Sequence, residues 1–265
     1  VRVLVTGSSG FIGGHTVDAL RDNDHTVRGC DKKDGSGWDL TIPGIAATVM
    51  GGCEMVVHLA ATCSTPGSVT DPMTTFRDTV VSAVNVLDAA RVGGIPVVLV
   101  TSVKARDGMT PYGAAKRMVE LWAEEYRSAY QFPVTVVRPG TVYGPGQEGS
   151  PDSGWIAWFL KAKEENHPVV ISGAGDQTRD LLHVTDMARL LTRMVEHFGD
   201  FTGSTWDVGG GVKNAVTVHQ MADYLGLDYT FGPPRYGDAA SYIGKDSVPG
   251  WEPRIEWRDG INRLT

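Results

Sequence analysis

An apolar run, Val1 to Val5, leads directly into TGSSGFIG, which sets Gly7, Gly10 and Gly13 three residues apart where a strand should turn into a helix. Gly7 permits the tight turn, Gly10 leaves no Cβ between backbone and phosphate, and Gly13 lets the new helix pack close to the sheet. The helix N-terminus then faces an anion with unpaired amides and the positive end of its dipole. Three spaced glycines alone would also suit an ordinary turn. Here a second apolar stretch, His25 to Cys30, ends at Asp31, and a carboxylate about 20 residues on is what adenosine ribose hydroxyls require. The pattern predicts a dinucleotide pyrophosphate site on the first turn of a βαβ unit.

Short β-rich runs, Val1–Thr6, His25–Cys30, Met55–Leu59, Val97–Thr101 and Val134–Arg138, alternate with segments of helical apolar spacing. This implies an α/β fold, a doubly wound parallel sheet of Rossmann type covered on both faces. After Thr141 the texture changes to PGQEGSPDSG, which reads as a lobe junction. A dinucleotide-binding domain over 1–140 and a smaller α/β substrate lobe over 141–265 are expected, with the segment from about 179 to 208 returning to the first domain. Asp31 and Asp39 are too close for the usual helix and third strand, so that edge of the sheet should be trimmed.

The 265 residues give room for two lobes sharing a cleft. A net charge of −7 offers no cationic footprint for nucleic acid or an anionic membrane. Cys30, Cys53 and Cys63 have neither paired nor ligand-like spacing, so they read as buried thiols in a reducing compartment, with no metal expected. No apolar run approaches membrane-spanning length and no leader precedes the first strand, so the expected setting is cytoplasmic.

TPYGAAK, residues 110 to 116, carries the chemistry. Thr110 and Pro111 suit an N-cap and a first helical turn. Tyr112 and Lys116 then share a helix face at i and i+4, where the ammonium would favour phenolate and draw the phenol's pKa down from about 10. A Tyr so tuned serves as general acid or base. An ordinary exposed Tyr and Lys would show the same spacing, and it is the neighbouring dinucleotide site that favours the catalytic reading.

With GSSGFIG, Asp31, Asp39-Leu40, HLAA (58–61), SVTDP (68–72), YGAAK, RPGTVYGPG (138–146), RDLLHVTD (179–186), RYGD (235–238) and GWEPRIEW, the chain resembles an extended short-chain dehydrogenase/reductase of the NAD-dependent sugar-nucleotide epimerase/dehydratase family over nearly its whole length. The resemblance implies that Phe11 and Ile12 cover the pyrophosphate, Asp31 holds the ribose, and Asp39 and Leu40 flank the adenine. Ala60 and Ala61 would approach the ribose and phosphate, with Leu59, Thr101, Pro139 and Val142 further cofactor positions. Asp31 would repel a 2′-phosphate, which favours NAD over NADP, although Lys32 and Lys33 could pair with one. The catalytic hydroxyl is less clean: gapless alignment on Gly108 puts Val103 there, and Ser102, one residue earlier, is the expectation, with Thr101 in reserve. A hydroxyl at a strand end can also merely cap the next loop. Thr79 and Thr141 stand where the family has asparagines near the nicotinamide and the substrate diphosphate.

Arg179 and Arg235 resemble a nucleoside-diphosphate clamp, with Asp238 as ribose or loop partner; forked guanidinium donors suit phosphate. His58 and His183 should pack or bond backbone rather than titrate. Trp155, Trp158 and Phe159 read as core. The expected function is a UDP-sugar 4-epimerase with NAD as cofactor, in which Tyr112, Lys116 and Ser102 carry the transient oxidation. A keto-sugar nucleotide reductase is the alternative, dehydration being disfavoured because Val103, Lys104 and Ala105 replace the acidic pair it uses. A non-catalytic dinucleotide sensor is the reading from another class. The resemblance also implies a homodimer built from the helix after SVTDP and the helix at Pro111, where Met118, Leu121, Trp122 and Tyr126 form a stripe that burial within one subunit could equally explain.

Overall fold

A computed structural model describes residues 1–265. Its strands are β1 (Arg2–Thr6), β2 (Thr26–Cys30), β3 (Met55–His58), β4 (Val97–Val100), β5 (Val134–Pro139), β6 (Thr141–Tyr143), β7 (Val169–Ser172), β8 (Thr178–His183), β9 (Thr205–Val208), β10 (Ala215–Thr217), β11 (Tyr229–Gly232) and β12 (Ser241–Tyr242). Six of them form one sheet in the order β2-β1-β3-β4-β5-β9. Every pairing in that sheet is parallel.

The period of two along each strand decides which face a side chain joins. Leu4, Val56, Val97, Leu99, Val134 and Val136 pack under the helices Ile45–Met50, Ser82–Gly93 and Thr110–Tyr130. Val3, Val5, Val57, Val98, Val100 and Val137 point the other way, onto the helices Phe11–Asp22 and Val184–Glu196. Each such fully buried aliphatic side chain contributes about 1.5–3 kcal/mol, so the two faces together hold the sheet.

The sheet has β2 at one edge and β9 at the other. Between Asp31 and β3 the chain has room only for a short turn, Lys32–Asp34, and the helix Ile45–Met50, as the close spacing of Asp31 and Asp39 requires. From β1 the chain goes to β2 on one side and later to β3 on the other, so the strand order reverses at β1. A crevice opens at the carboxyl ends of β1 and β3 for that reason.

β6 and β8 pair in a smaller sheet with β10 and β12, while β7 and β11 pair alone. In the segment from 179 to 208, β8 lies in this smaller sheet. The helix Val184–Glu196 then packs on Phe11–Asp22 and β9 joins the main sheet beside β5. The small lobe has its own core, Tyr143, Ile156, Phe159, Leu181, Val216, Met221 and Trp257, with Trp155 and Trp158 packed at its edge. No helix is long and apolar enough to cross a membrane.

Candidate active site

At the nucleotide end, Gly7 has φ +69°, and a Cβ on it would lie 2.9 Å from the Ala60 amide nitrogen. A Cβ on Gly13 would fall 1.9 Å from the Gly7 carbonyl oxygen, so only glycine lets the helix sit this close to the turn. No side chain caps the helix Phe11–Asp22, and the Phe11 and Ile12 amides meet no acceptor within the chain. Asp31 accepts from the Ser9 amide (3.1 Å) and the Lys33 amide (2.9 Å), which fixes a carboxylate against the glycine turn. Bare amides, glycines with no room for a Cβ and an anchored acid fit a dinucleotide.

Lys32 is committed to Asp39 (3.2 Å) and Asp78 (3.1 Å), which removes it as a ready partner for a 2′-phosphate. Leu40 turns its apolar side chain into the sheet core, and Asn85 Nδ2 holds its carbonyl (2.9 Å). The Thr6 hydroxyl accepts from the Leu59 (3.1 Å) and Ala60 (3.2 Å) amides, leaving its proton for His58 Nδ1 at 2.8 Å. Burial pushes His58 down to about 3, so it stays neutral and structural. His183 likewise accepts from the Thr185 amide and caps its helix. Ala61 is half-buried beyond Ala60. Thr79 is buried in a π-turn and bonds the backbone and hydroxyl of Thr62.

The helix Thr110–Tyr130 starts one residue earlier than expected, after Met109, with Pro111 in its first turn. Thr110 has φ +68°, a strained value for a β-branched residue, yet its hydroxyl still accepts from the Gly113 amide (3.3 Å). The Tyr112 amide donates to the Ser68 hydroxyl (3.1 Å), which itself donates to the Thr65 carbonyl (2.6 Å). Ser68 thus anchors the turn that carries Tyr112, a role that sequence reasoning missed although the residue opens SVTDP.

Of the three positions weighed for the catalytic hydroxyl, Ser102 is the one facing the Tyr112 phenol. It also caps the following turn by accepting from the Lys104 amide (3.3 Å). Val103 is buried in the interior. Thr101, the reserve, is buried and donates to Glu120 Oε1 (2.7 Å).

Lys116 Nζ lies 6.0 Å from the centre of the Tyr112 ring and donates to the Val100 carbonyl (3.4 Å). The expectation that it draws the phenol's pKa down is corrected here. Burial pushes Tyr112 up to about 12, opposed by Ser102, and the same burial pushes Lys116 down to about 8. Desolvation is the largest cause of both shifts. Glu120, fully buried, supports the Lys116 charge and receives two bonds from Arg138 (2.8 and 2.6 Å). Arg138 also faces Asp207 (3.6 Å), which Arg106 grips at 2.7 Å.

Cys30 and Cys53 are buried, but Cys63 is exposed and close enough to raise both Tyr112 and Lys116. The expectation of three buried thiols fails at Cys63 because the chain leaves the sheet there, at the open end of β3.

In the second lobe Arg179 is buried, stacks 4.7 Å from the Tyr242 ring centre, and donates to Asp238 (2.6 Å), the Ala239 carbonyl (3.0 Å) and the Thr178 carbonyl (2.7 Å). Asp238 is therefore the partner of Arg179. Arg235 is exposed and bonds Ser172 Oγ (2.9 Å) and the Pro151 carbonyl. Pro139 closes β5, and Thr141 and Val142 sit half-buried in β6 opposite Leu181 and Leu182. Lys104, which the sequence reading used only as evidence against dehydration, reaches into this cleft: Nζ donates to Thr65 Oγ1 (3.2 Å) and lies 5.8 Å from the Tyr242 ring centre.

A glycine turn with bare amides and a Tyr/Ser/Lys group therefore share the carboxyl edge of one sheet. The profile of the NAD dependent epimerase/dehydratase family matches residues 3–209. This chain belongs to that family. Among curated relatives, the UDP-glucose 4-epimerase of Mycolicibacterium smegmatis is 30% identical, with 98% of this chain and 96% of the relative covered. Among solved structures, the Thermus thermophilus UDP-glucose 4-epimerase in complex with NAD superposes with a TM-score of 0.85 at 25% identity, covering 100% of this chain and 97% of that one. MoeE5 in complex with UDP-glucuronic acid and NAD gives 0.87 at 28% identity, covering 99% and 97%. The superpositions extend over both the main sheet and the smaller lobe of this chain.

Proposed function

We propose that the protein is a nucleotide-sugar 4-epimerase that acts on a UDP-sugar and retains NAD. The observation that carries this reading is the convergence of Tyr112, Ser102 and Lys116 beside the glycine turn. When bound, NAD supplies the acceptor and donor of hydride at the sugar carbon. Gly7, Gly10, Phe11, Ile12 and Gly13 would hold its pyrophosphate and Asp31 its adenosine ribose.

Tyr112 is the proton-transfer group. As the phenolate, its oxygen takes the proton of the sugar hydroxyl and, as the phenol so formed, returns it, and Ser102 bonds the same oxygen as its charge changes. Lys116 compensates the phenolate, with Glu120 behind it keeping the ammonium charged. Arg179 and Arg235 would grip the diphosphate firmly while the sugar turns, so that both faces of the transient ketone are presented in succession. Lys104 stands where a dehydratase would carry acid, and water elimination lacks its proton donor. Purified enzyme is expected to interconvert a UDP-hexose pair without added cofactor, and Tyr112→Phe to reduce turnover by at least about a hundredfold. Full activity in that variant would refute the assignment.

The reading extends to a homodimer. Met118, Leu121 and Trp122 are exposed on the helix Thr110–Tyr130 and, with Glu125, line a surface groove of about 180 Å³. Val69, Met73 and Phe76 are exposed on the adjoining helices. Tyr126 alone of the expected stripe is buried within the subunit, so the rest of that apolar face is left for a second copy. The buried, unpaired thiols of Cys30 and Cys53 fit a reducing, cytoplasmic setting.

A further inference from the structure

We propose that Arg106 is a positioning residue for proton transfer, locking the turn that carries Ser102 onto both sheets so that the hydroxyl is held against Tyr112. This rests on the nucleotide-sugar reading above and deepens it.

Ser102 caps the turn Val103–Ala105, and Arg106 closes it, its amide bonded to the Val103 carbonyl (3.1 Å). Within the turn, the hold on the Ser102 hydroxyl is a single long bond from the Lys104 amide (3.3 Å). The Arg106 side chain supplies the distant ties. Nε donates to Asp207 Oδ2 (2.7 Å) in β9 of the main sheet, and Nη2 to the Ile243 carbonyl (2.8 Å) just past β12 of the smaller one. The side chain is 20% exposed, so both charge-assisted bonds form largely out of water, where they are strong. Beside it Asp107 accepts from the Tyr242 hydroxyl (3.3 Å), and Lys104 Nζ lies 5.8 Å from the centre of the same ring. Lys104, Arg106 and Asp107 thus all close onto one short segment, Tyr242 and Ile243.

The parts that this clasp joins have other supports. Val103 and Ala105 are buried on the inner side of the turn, Tyr242 pairs with Arg179 across β8 and β12, and Asp207 also faces Arg138 (3.6 Å). What Arg106 adds is direction, because a planar fork tied at two points fixes the rotation of the turn as well as its distance. Tyr112 arrives from a different element, anchored by Ser68. The fit between the two oxygens therefore depends on two separate anchors, one for each. Ser102 opposes the burial that pushes the phenol up, while Cys63, from the segment after β3, adds to that push, and Lys116 faces the ring from the same helix. A turn released from Arg106 would carry the serine hydroxyl away from the phenol.

The test is Arg106→Met in the full chain, with kcat and KM for a UDP-hexose, kcat followed against pH, and UDP affinity by calorimetry. The value of kcat should fall by about 10- to 100-fold, while UDP affinity stays close to that of the wild type because Arg179 and Arg235 are untouched. The rise of kcat with pH should also move to higher pH, since the phenol loses the bond that favours its charged form. Tyr242→Phe removes only the bond to Asp107 and should move both readouts the same way to a smaller extent. An Arg106→Met variant with unchanged kcat would overturn the inference. So would a fall in kcat with the pH profile unmoved, or a loss of UDP affinity as large as the loss of kcat, because the guanidinium would then serve the fold or the diphosphate. If Arg106→Met does not fold, a Tyr242→Phe variant that matches the wild type in both readouts overturns it instead. Failure of the parent reading looks different: the wild type would bind no UDP and turn over no nucleotide sugar at all.

Discussion

Lys116 places an ammonium where the fold has no carboxylate in contact with it, 6% exposed and bonded only to the Val100 carbonyl. Its fall from 10.5 to about 8 corresponds to about 3 kcal/mol, at about 1.4 kcal/mol per pH unit. That energy opposes folding. Below pH 8 the lysine is charged in both the folded and the unfolded chain, and the full penalty applies. Between 8 and 10.5 the folded protein releases its proton before the unfolded chain does, so stability rises with pH across that window, and above it the penalty is gone. Lys116→Met keeps the length of the side chain and removes the charge. In the cofactor-free protein it should therefore gain about 3 kcal/mol near pH 7, or about 6–12 °C in Tm, while losing turnover. Urea melts of both proteins near pH 7 and near pH 10.5, with activity measured alongside, check this. A variant less stable than the wild type at neutral pH would refute the reasoning, as would a gain that is the same at both pH values.

Glu120→Gln removes the charge that faces both Arg138 bonds from a fully buried position, and breaking a buried pair from one side costs about 3 kcal/mol or more; a loss under about 1 kcal/mol in urea melts would show that Asp207 alone satisfies Arg138. Trp122→Glu puts a carboxylate into the exposed apolar groove of the long helix, and light scattering should then show the mass of one chain where the wild type shows two. An unchanged dimer in that variant would place the interface elsewhere.

Much of the main sheet was legible because its signals are local. The alternation of Val3, Leu4 and Val5 between two cores follows from the strand period of two, and the closeness of Asp31 and Asp39 already required the trimmed edge at β2. Tyr112 and Lys116 share a face for the same kind of reason, the spacing of one helical turn. What was not legible depends on distant segments. That the Leu40 side chain lies in the core depends on the packing of the helix Ser82–Gly93 over it. Sequence spacing left Ser102 as the expectation, Val103 at the aligned position and Thr101 in reserve, and it is β4 and its turn that bury the second and commit the third to Glu120.

The sequence by itself determined the glycine turn, the order of strands and helices, and the residue types available for proton transfer, since each is written in spacings of a few residues. The tertiary structure alone decided that burial lifts the Tyr112 phenol rather than the lysine lowering it, that Cys63 opens beside Tyr112 and Lys116, and that Lys104 reaches Thr65 and the Tyr242 ring. Desolvation and charge pairing are sums over everything within a few ångströms in space, and the groups that make up those sums, from Thr65 to Tyr242, are brought together only when the chain has folded.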